Sequence, residues 1–323
     1  MLGVREHPRV AVFGAGAVGC FFGGMLARAG VSVTLIGRAR HVDAIRADEL
    51  FFDGLRFQER IPVSATTDVS AARDADMVLF CVKTVDTEEA AKLLPRQALV
   101  VSLQNGVDNV ARIRSATGIE AIPAVVYVGA AMAAPGHVKH TGRGDLVIGD
   151  IWGNDRLQRS LADIAEMFEG AGVPCRISEN VEGELWTKMI INCAYNAISA
   201  LGRAKYALLV SDPLTRDLMS QVTEEAIAVA RAGGVRLPDA DPIESVWKIG
   251  EALAGATSST AQDIARGSRT EIDSLNGYIV RRGVEVGVAT PANQTLHALV
   301  KLLEASTETA GTPRFLSPQS PPA

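Results

Sequence analysis

Short β-branched runs alternate with helical stretches through the first half of the chain. Arg9 to Phe13 reads as a strand, Ala17 to Ala29 as a helix, and Val31 to Ile36 as a second strand. Leu50 to Phe57 carries a hairpin signal, with Asp53-Gly54 suited to the positive φ angles of a type I′ turn. Asp76 to Val82 and Leu99 to Leu103 are continuous apolar runs, as expected of central parallel strands covered on both faces. Strand and helix in alternation predict a doubly wound α/β sheet. Beyond Glu179 the pattern is helical, over 181–201, 212–233, 241–255, 259–284 and 291–306. Asp212-Pro213, Asp241-Pro242 and Thr290-Pro291 each place proline in a first helical turn behind a residue able to cap it. The expected organisation is an α/β domain over residues 1–179, an all-helical domain over 180–310 and a disordered tail over 311–323.

One helical segment, Leu185 to Ala200, is unusual. Its strongly polar residues fall at Lys188, Asn192, Asn196 and Ser199, a spacing that stacks them on one helix face. A solvated face would be wide and rich in Glu, Lys, Arg and Gln. This strip is narrow, and each asparagine costs roughly half a kcal/mol against alanine in a helix. Two readings fit: a partly exposed polar seam, or a strip facing a cleft where an ammonium and two amides meet an oxygen-rich ligand.

Composition narrows the choice of partner. With 47% hydrophobic and 21% charged residues the chain is an ordinary globular protein, of a length that favours two domains. The net charge of -5, with Lys and Arg scattered, argues against nucleic acid. No basic segment leads into an apolar run at the N-terminus, and Ala121 to Ala134 is too short for a bilayer and contains Pro123 and Gly129. A cytoplasmic protein with no membrane partner is expected. Cys20, Cys81, Cys175 and Cys193 form no CxxC pair and read as buried thiols. His137 and His140, in Gly-rich surroundings, read as surface or turn residues rather than half of a metal site.

The first strand leads into Gly14-Ala15-Gly16-Ala17-Val18-Gly19, a G-x-G-x-x-G turn opening a helix. Gly14 suits the tight turn, Gly16 lets backbone approach a pyrophosphate, and Gly19 lets helix and strand pack closely. The helix N-terminus adds free N–H groups and a positive dipole end. At the second strand tip stands Arg38, where an NAD site would carry a carboxylate, and Asp43 comes later, inside the next helix. Arg38 can hold a 2′-phosphate, which favours NADP, or it is a solvated loop residue. Lys83 and Gln104-Asn105-Gly106 follow two further strands, where open α/β sheets bind ligands. On spacing alone Lys83 could be a surface lysine and Asn105 a turn residue.

Taken in order, these features resemble the ketopantoate reductase (2-dehydropantoate 2-reductase) family. They are the N-terminal glycine motif, Lys83, Gln104-Asn105-Gly106, Glu184-Leu-Trp-x-Lys188 with Asn192 and Asn196, Ser258-Ser259 with Gln262-Asp263, and Thr270-Glu271-Ile-Asp273 with Asn276-Gly277. The resemblance runs from Gly14 to about Leu303. It implies a Rossmann domain joined to a helical domain like that of 6-phosphogluconate dehydrogenases, and NADPH-dependent reduction of a 2-oxo acid within a homodimer. Lys188 would be the general acid, and Glu271 would lie near it and the nicotinamide ribose. Asn105 would touch nicotinamide and substrate, Asn192 and Asn196 would bind substrate polar groups, and Ser259 its carboxylate. Members with the pantoate site carry asparagines where this chain has Ala256 and about Tyr206, which leaves the substrate's distal end open.

The residue types suit that chemistry. As hydride reaches a carbonyl carbon, negative charge grows on the oxygen and needs a proton or a cation. An unperturbed lysine, with pKa about 10.4, is a weak acid for this purpose, and burial between the two domains would lower it. An ionised Glu271 nearby would oppose that shift while fixing the ammonium; alone, Glu271 could be a solvated carboxylate. Ser259 could serve as a helix N-cap, and the two roles are compatible. The competing readings are a 3-hydroxy acid dehydrogenase of the 6-phosphogluconate dehydrogenase-like group, or a non-catalytic dinucleotide-binding paralogue.

Overall fold

The computed structural model describes residues 8–238 and 242–310, so the tail expected over 311–323 and the cap expected at Asp241 lie outside the described residues. The strands are β1 (Arg9–Phe13), β2 (Ser32–Ile36), β3 (Leu50–Asp53), β4 (Gln58–Ile61), β5 (Ser64–Thr66), β6 (Met77–Phe80), β7 (Leu99–Ser102), β8 (Ile122–Ala134), β9 (His137–Ile148) and β10 (Cys175–Ile177). The helices are α1 (Ala17–Arg28), α2 (Ala39–Asp48), α3 (Thr87–Ala91), α4 (Asn109–Thr117), α5 (Asp155–Gly170) and α6 (Val181–Gly202). They continue with α7 (Tyr206–Ser211), α8 (Pro213–Ala232), α9 (Pro242–Ala252), α10 (Ser259–Ala265), α11 (Asn276–Val286) and α12 (Pro291–Ala310). Two compact units divide the chain: one runs to Met189 and takes in Arg236–Pro238, the other holds the remainder from Ile190.

In the first unit the ten strands among the described residues join one sheet, in the order β4-β3-β9-β8-β7-β6-β1-β2-β5, with β10 beside β9. β5, β2, β1, β6 and β7 are mutually parallel, and Phe13 is level with Ile36 and Phe80, which is level with Ser102. Four carboxyl ends therefore finish at one height. Side chains alternate across β1. Val10 and Val12 join Phe22, Leu26 and Phe168 in one core, while Ala11 and Phe13 join Phe80, Val110 and Ile113 on the opposite face. Helices thus cover both faces, as a doubly wound sheet requires. The sheet is mixed, because β8 and β9 form a long antiparallel pair that carries β3 and β4 beyond it.

Some local expectations change. The β3–β4 hairpin forms, but Asp53 pairs with Gln58 across a four-residue loop, and neither Asp53 nor Gly54 has a positive φ. Gly54 is needed for space instead: a Cβ there would meet Phe57 O at 2.9 Å and the Phe52 ring at 3.1 Å. His137 and His140 are strand residues of β9, their rings tilted against those of Phe51 and Phe21 respectively with centroids 4.6 Å apart in each pair. Cys20, Cys175 and Cys193 are buried, whereas Cys81 is only partly so by exposed area.

In the helical unit Asp212 caps α8, accepting a hydrogen bond from Thr215 N at 2.8 Å. At α12 Glu225 of α8 accepts from Ala292 N and Asn293 N, at 2.8 and 2.9 Å. The helix expected over 259–284 is interrupted. Arg266 closes α10, Gly267 takes φ +63°, and a short 3₁₀ turn over Ile272–Ser274 precedes α11.

Candidate active site

The glycine motif sits where the winding of the sheet reverses, between β1 and β6. Gly14 has φ +105°, and a Cβ on it would meet Cys81 O at 2.7 Å. A Cβ on Gly19 would fall 2.1 Å from Gly14 O, so no other residue lets α1 pack this closely on the turn. Around Gly16, by contrast, a Cβ would meet nothing within 4 Å, and Gly16 caps α1 without a side-chain bond. Open space before uncapped N–H groups is what a pyrophosphate needs. Ala15 N–H, like Gly14 N–H, donates to Ile36 O, which leaves the N–H groups of Ala17, Val18 and Gly19 in the first helical turn for the ligand.

Arg38 follows β2 and precedes α2; its side chain is 90% exposed, with Asp86 4.0 Å away. Asp43 lies within α2, so the tip of β2 offers a guanidinium and no carboxylate. Lys83, exposed, begins the short turn after β6. These residues fit a 2′-phosphorylated dinucleotide.

Asn105 follows β7. Its Oδ1 accepts a hydrogen bond from Lys188 Nζ at 2.8 Å, and the same ammonium donates to Val126 O at 2.5 Å. The ammonium also stands 5.8 Å from the centroid of the Tyr127 ring. Lys188 is therefore no solvated surface lysine. Nothing in the sequence around Val126 or Tyr127 signals this role, because a backbone carbonyl leaves no residue-type signature. The loop behind Asn105 is held by Thr84, Thr87, Gln104 and Asn109, all buried, which sequence reading did not single out individually, beyond Gln104 as part of a motif.

α6 is unbroken from Val181 to Gly202, so residues 188, 192, 196 and 199 share one face by helical period. Within the helical unit Asn192 is half-buried and Asn196 buried, and Asn196 Nδ2 donates to Ser259 Oγ at 3.4 Å. The α10 cap is Ser258, which accepts from Ala261 N at 3.0 Å and donates to Asn196 O. Ser259 is thereby relieved of capping. Ser199 has a structural task, donating to Ala204 O and accepting from Ser258 N. Glu271, half-buried, opens the 3₁₀ turn, its carbonyl accepting from Ser274 N at 2.9 Å. Asp273 pairs with His297 and Lys301, at 2.7 and 2.9 Å, as part of the helical scaffold. Tyr206 N donates to Ala256 O at 3.0 Å, so the two positions that depart from the pantoate pattern are neighbours.

Residues 10–153 match the family model of ketopantoate reductase PanE/ApbA, and residues 180–304 match that of its C-terminal region. A 2-dehydropantoate 2-reductase of Pyrococcus horikoshii is 34% identical over 92% of this chain and 97% of its own. The crystal structure of a PanE/ApbA family ketopantoate reductase from Ralstonia eutropha is 51% identical, with TM-score 0.87 over 93% of this chain and 99% of that one. D-mandelate dehydrogenase, solved with NADH and anilino(oxo)acetate, shares the fold at 24% identity and TM-score 0.87. On sequence and on architecture, the chain belongs to the ketopantoate reductase family.

Proposed function

We propose that the chain is an NADPH-dependent reductase of a 2-oxo acid, 2-dehydropantoate to (R)-pantoate being the conversion supported by the names of its relatives. The observation that carries the reading is the Lys188 ammonium, held by Asn105 Oδ1 and Val126 O beside the carboxyl ends of the parallel strands. NADPH, when bound, supplies hydride to the carbonyl carbon. Gly14 to Gly19 and Arg38 would hold its phosphates, with Lys83 and Asn105 reaching the same crevice. Lys188 donates the proton that the carbonyl oxygen needs, and its fixed cation stabilises the negative charge developing there. The family resemblance gives Asn192, Asn196 and Ser259 the carboxylate and other polar groups of the acid, and Glu271 a part in catalysis. In this reading the enzyme is a cytoplasmic homodimer. Ala256 and Tyr206 stand where other members carry asparagines, so the assay should include 2-oxo acids with apolar tails.

The test is Lys188→Ala, assayed with 2-dehydropantoate and a panel of 2-oxo and 3-hydroxy acids by nicotinamide absorbance. Turnover should fall by about 10²–10⁴, the range for a positioned proton donor, while NADPH still binds. Near-native turnover would remove Lys188 from the mechanism. Preference for 3-hydroxy acids would favour the related dehydrogenase chemistry.

A further inference from the structure

Behind Asn105 lies a buried run of polar side chains in which four successive hydrogen bonds point the same way. Ser102 Oγ donates to Gln104 Oε1 at 3.0 Å, and Gln104 Nε2 donates to Thr87 Oγ1 at 2.8 Å. Thr87 Oγ1 donates to Asn109 Oδ1 at 3.3 Å, and Asn109 Nδ2 donates to the Asn105 carbonyl at 2.7 Å. Thr84 Oγ1 donates to that same carbonyl at 3.0 Å, and Gln104 Nε2 also reaches Val82 O at 3.0 Å. Thr84, Thr87, Ser102, Gln104 and Asn109 are each at most 5% exposed. Water therefore does not compete for these groups, and leaving one unsatisfied is costly. Bonds aligned in series also polarise one another.

The chain has a position in the fold that a merely structural network would not need. It crosses from the loop after β6 (Val82, Thr84, Thr87) to the loop after β7 (Gln104, Asn105, Asn109), and ends on Asn105, whose side chain accepts from Lys188. Asn105 precedes Gly106, which has φ +100°, so its backbone is not restrained by regular structure. We propose that the Ser102–Gln104–Thr87–Asn109 run is a positioning device that sets Asn105, and through it the Lys188 ammonium, for proton delivery. The inference rests on the reductase reading above. Thr87 and Asn109 touch neither lysine nor ligand in this scheme and act only through Asn105.

Thr87→Val keeps the shape of the side chain and removes the donor, so it interrupts the run at its centre. The expected result is a kcat about tenfold lower, because misplacing a reacting group by a fraction of an ångström to 1 Å costs ten- to a hundredfold. KM for NADPH should change less than about twofold, and Thr87→Ser should restore kcat. The decisive measurement is a double-mutant cycle with Asn105→Ala. If Thr87 acts through Asn105, adding Thr87→Val to Asn105→Ala costs nothing further, whereas a general loss of stability would lower both backgrounds alike. Should Thr87→Val fold too poorly to assay, Asn109→Asp, which swaps the donor for an acceptor at the same place, takes its position in the cycle. Additive losses, or a native kcat in the single variant, overturn the inference while wild-type turnover upholds the reductase reading. A wild-type protein inactive on every 2-oxo acid overturns both.

Discussion

Two glycines of the same turn should respond to alanine in opposite ways. At residue 19 the added methyl would lie 2.1 Å from Gly14 O and 2.9 Å from Val12 Cγ1. Neither neighbour can yield easily: Gly14 is anchored by its N–H to Ile36 O at 2.9 Å, and Val12 is fully buried in the central strand. Overpacking of this kind costs typically about 1–3 kcal/mol. At roughly 2–4 °C per kcal/mol for a unit of this size, Gly19→Ala should lower Tm by about 2–12 °C. At residue 16 the methyl meets nothing within 4 Å, and φ is -89°, which alanine adopts freely. Alanine is a poorer N-cap by up to about 1 kcal/mol, but it restricts the unfolded chain by a comparable about 0.4–1 kcal/mol. Gly16→Ala should therefore melt within a few degrees of the native protein. Its NADPH affinity should nevertheless fall about tenfold or more, equivalent to about 1.4 kcal/mol, because the methyl occupies the space left for the pyrophosphate. Thermal denaturation followed by circular dichroism, with NADPH titration by fluorescence, measures both quantities. Native NADPH affinity in Gly16→Ala would refute the close-approach argument, and a native Tm in Gly19→Ala would refute the steric one.

The remaining expectations concern specificity, packing and pH. Arg38→Asp should lower the ratio of kcat/KM for NADPH over NADH by about tenfold or more, a charge-assisted contact being replaced by repulsion; an unchanged ratio would take Arg38 out of phosphate recognition. Phe22→Ala removes a fully buried ring packed edge-on against Phe21 at 4.9 Å, and should cost about 3–5 kcal/mol, read as a lower denaturation midpoint. In the helical unit, burial pushes the Asp273 carboxyl up, but hydrogen bonds from His297 and Lys301 outweigh it and hold the group below its ordinary range. Burial is likewise outweighed at Glu304 by bonds from Thr270 and Lys301. A carboxylate depressed in the folded state contributes stability that is fully present above its unfolded pKa of about 4 and is lost as pH falls through the lower folded value. Tm should thus hold from neutral pH to about pH 5 and fall below about pH 4, less steeply in Lys301→Ala; an equally steep fall in that variant would exclude the cluster as its cause.

Local features were the most legible in the chain. The glycine turn could be read because each glycine reports a backbone requirement within a few residues of itself, and Asp212-Pro213 because a cap and its helix are adjacent. The hairpin at Asp53-Gly54 was legible as a hairpin but not as a turn type, since the Phe52 and Phe57 rings, 5.1 Å apart, rather than the dipeptide decided the loop. The break after Arg266 was hidden because the apolar period continues on either side of Gly267 while the backbone does not.

What the amino-acid order determined by itself was short-range: which segments are strands and helices, where a dinucleotide turn lies, and that Lys188, Asn192 and Asn196 share a helix face. What only the tertiary structure decided was which groups those residues meet. Lys188 finds its acceptors 83 and 62 residues away, and Glu225 caps a helix that begins 66 positions further on. The run from Ser102 to Asn105 closes only because parallel pairing brings the loops after β6 and β7 side by side. Hydrogen-bond partners at such separations are chosen by strand order and packing, and neither leaves a mark on local periodicity.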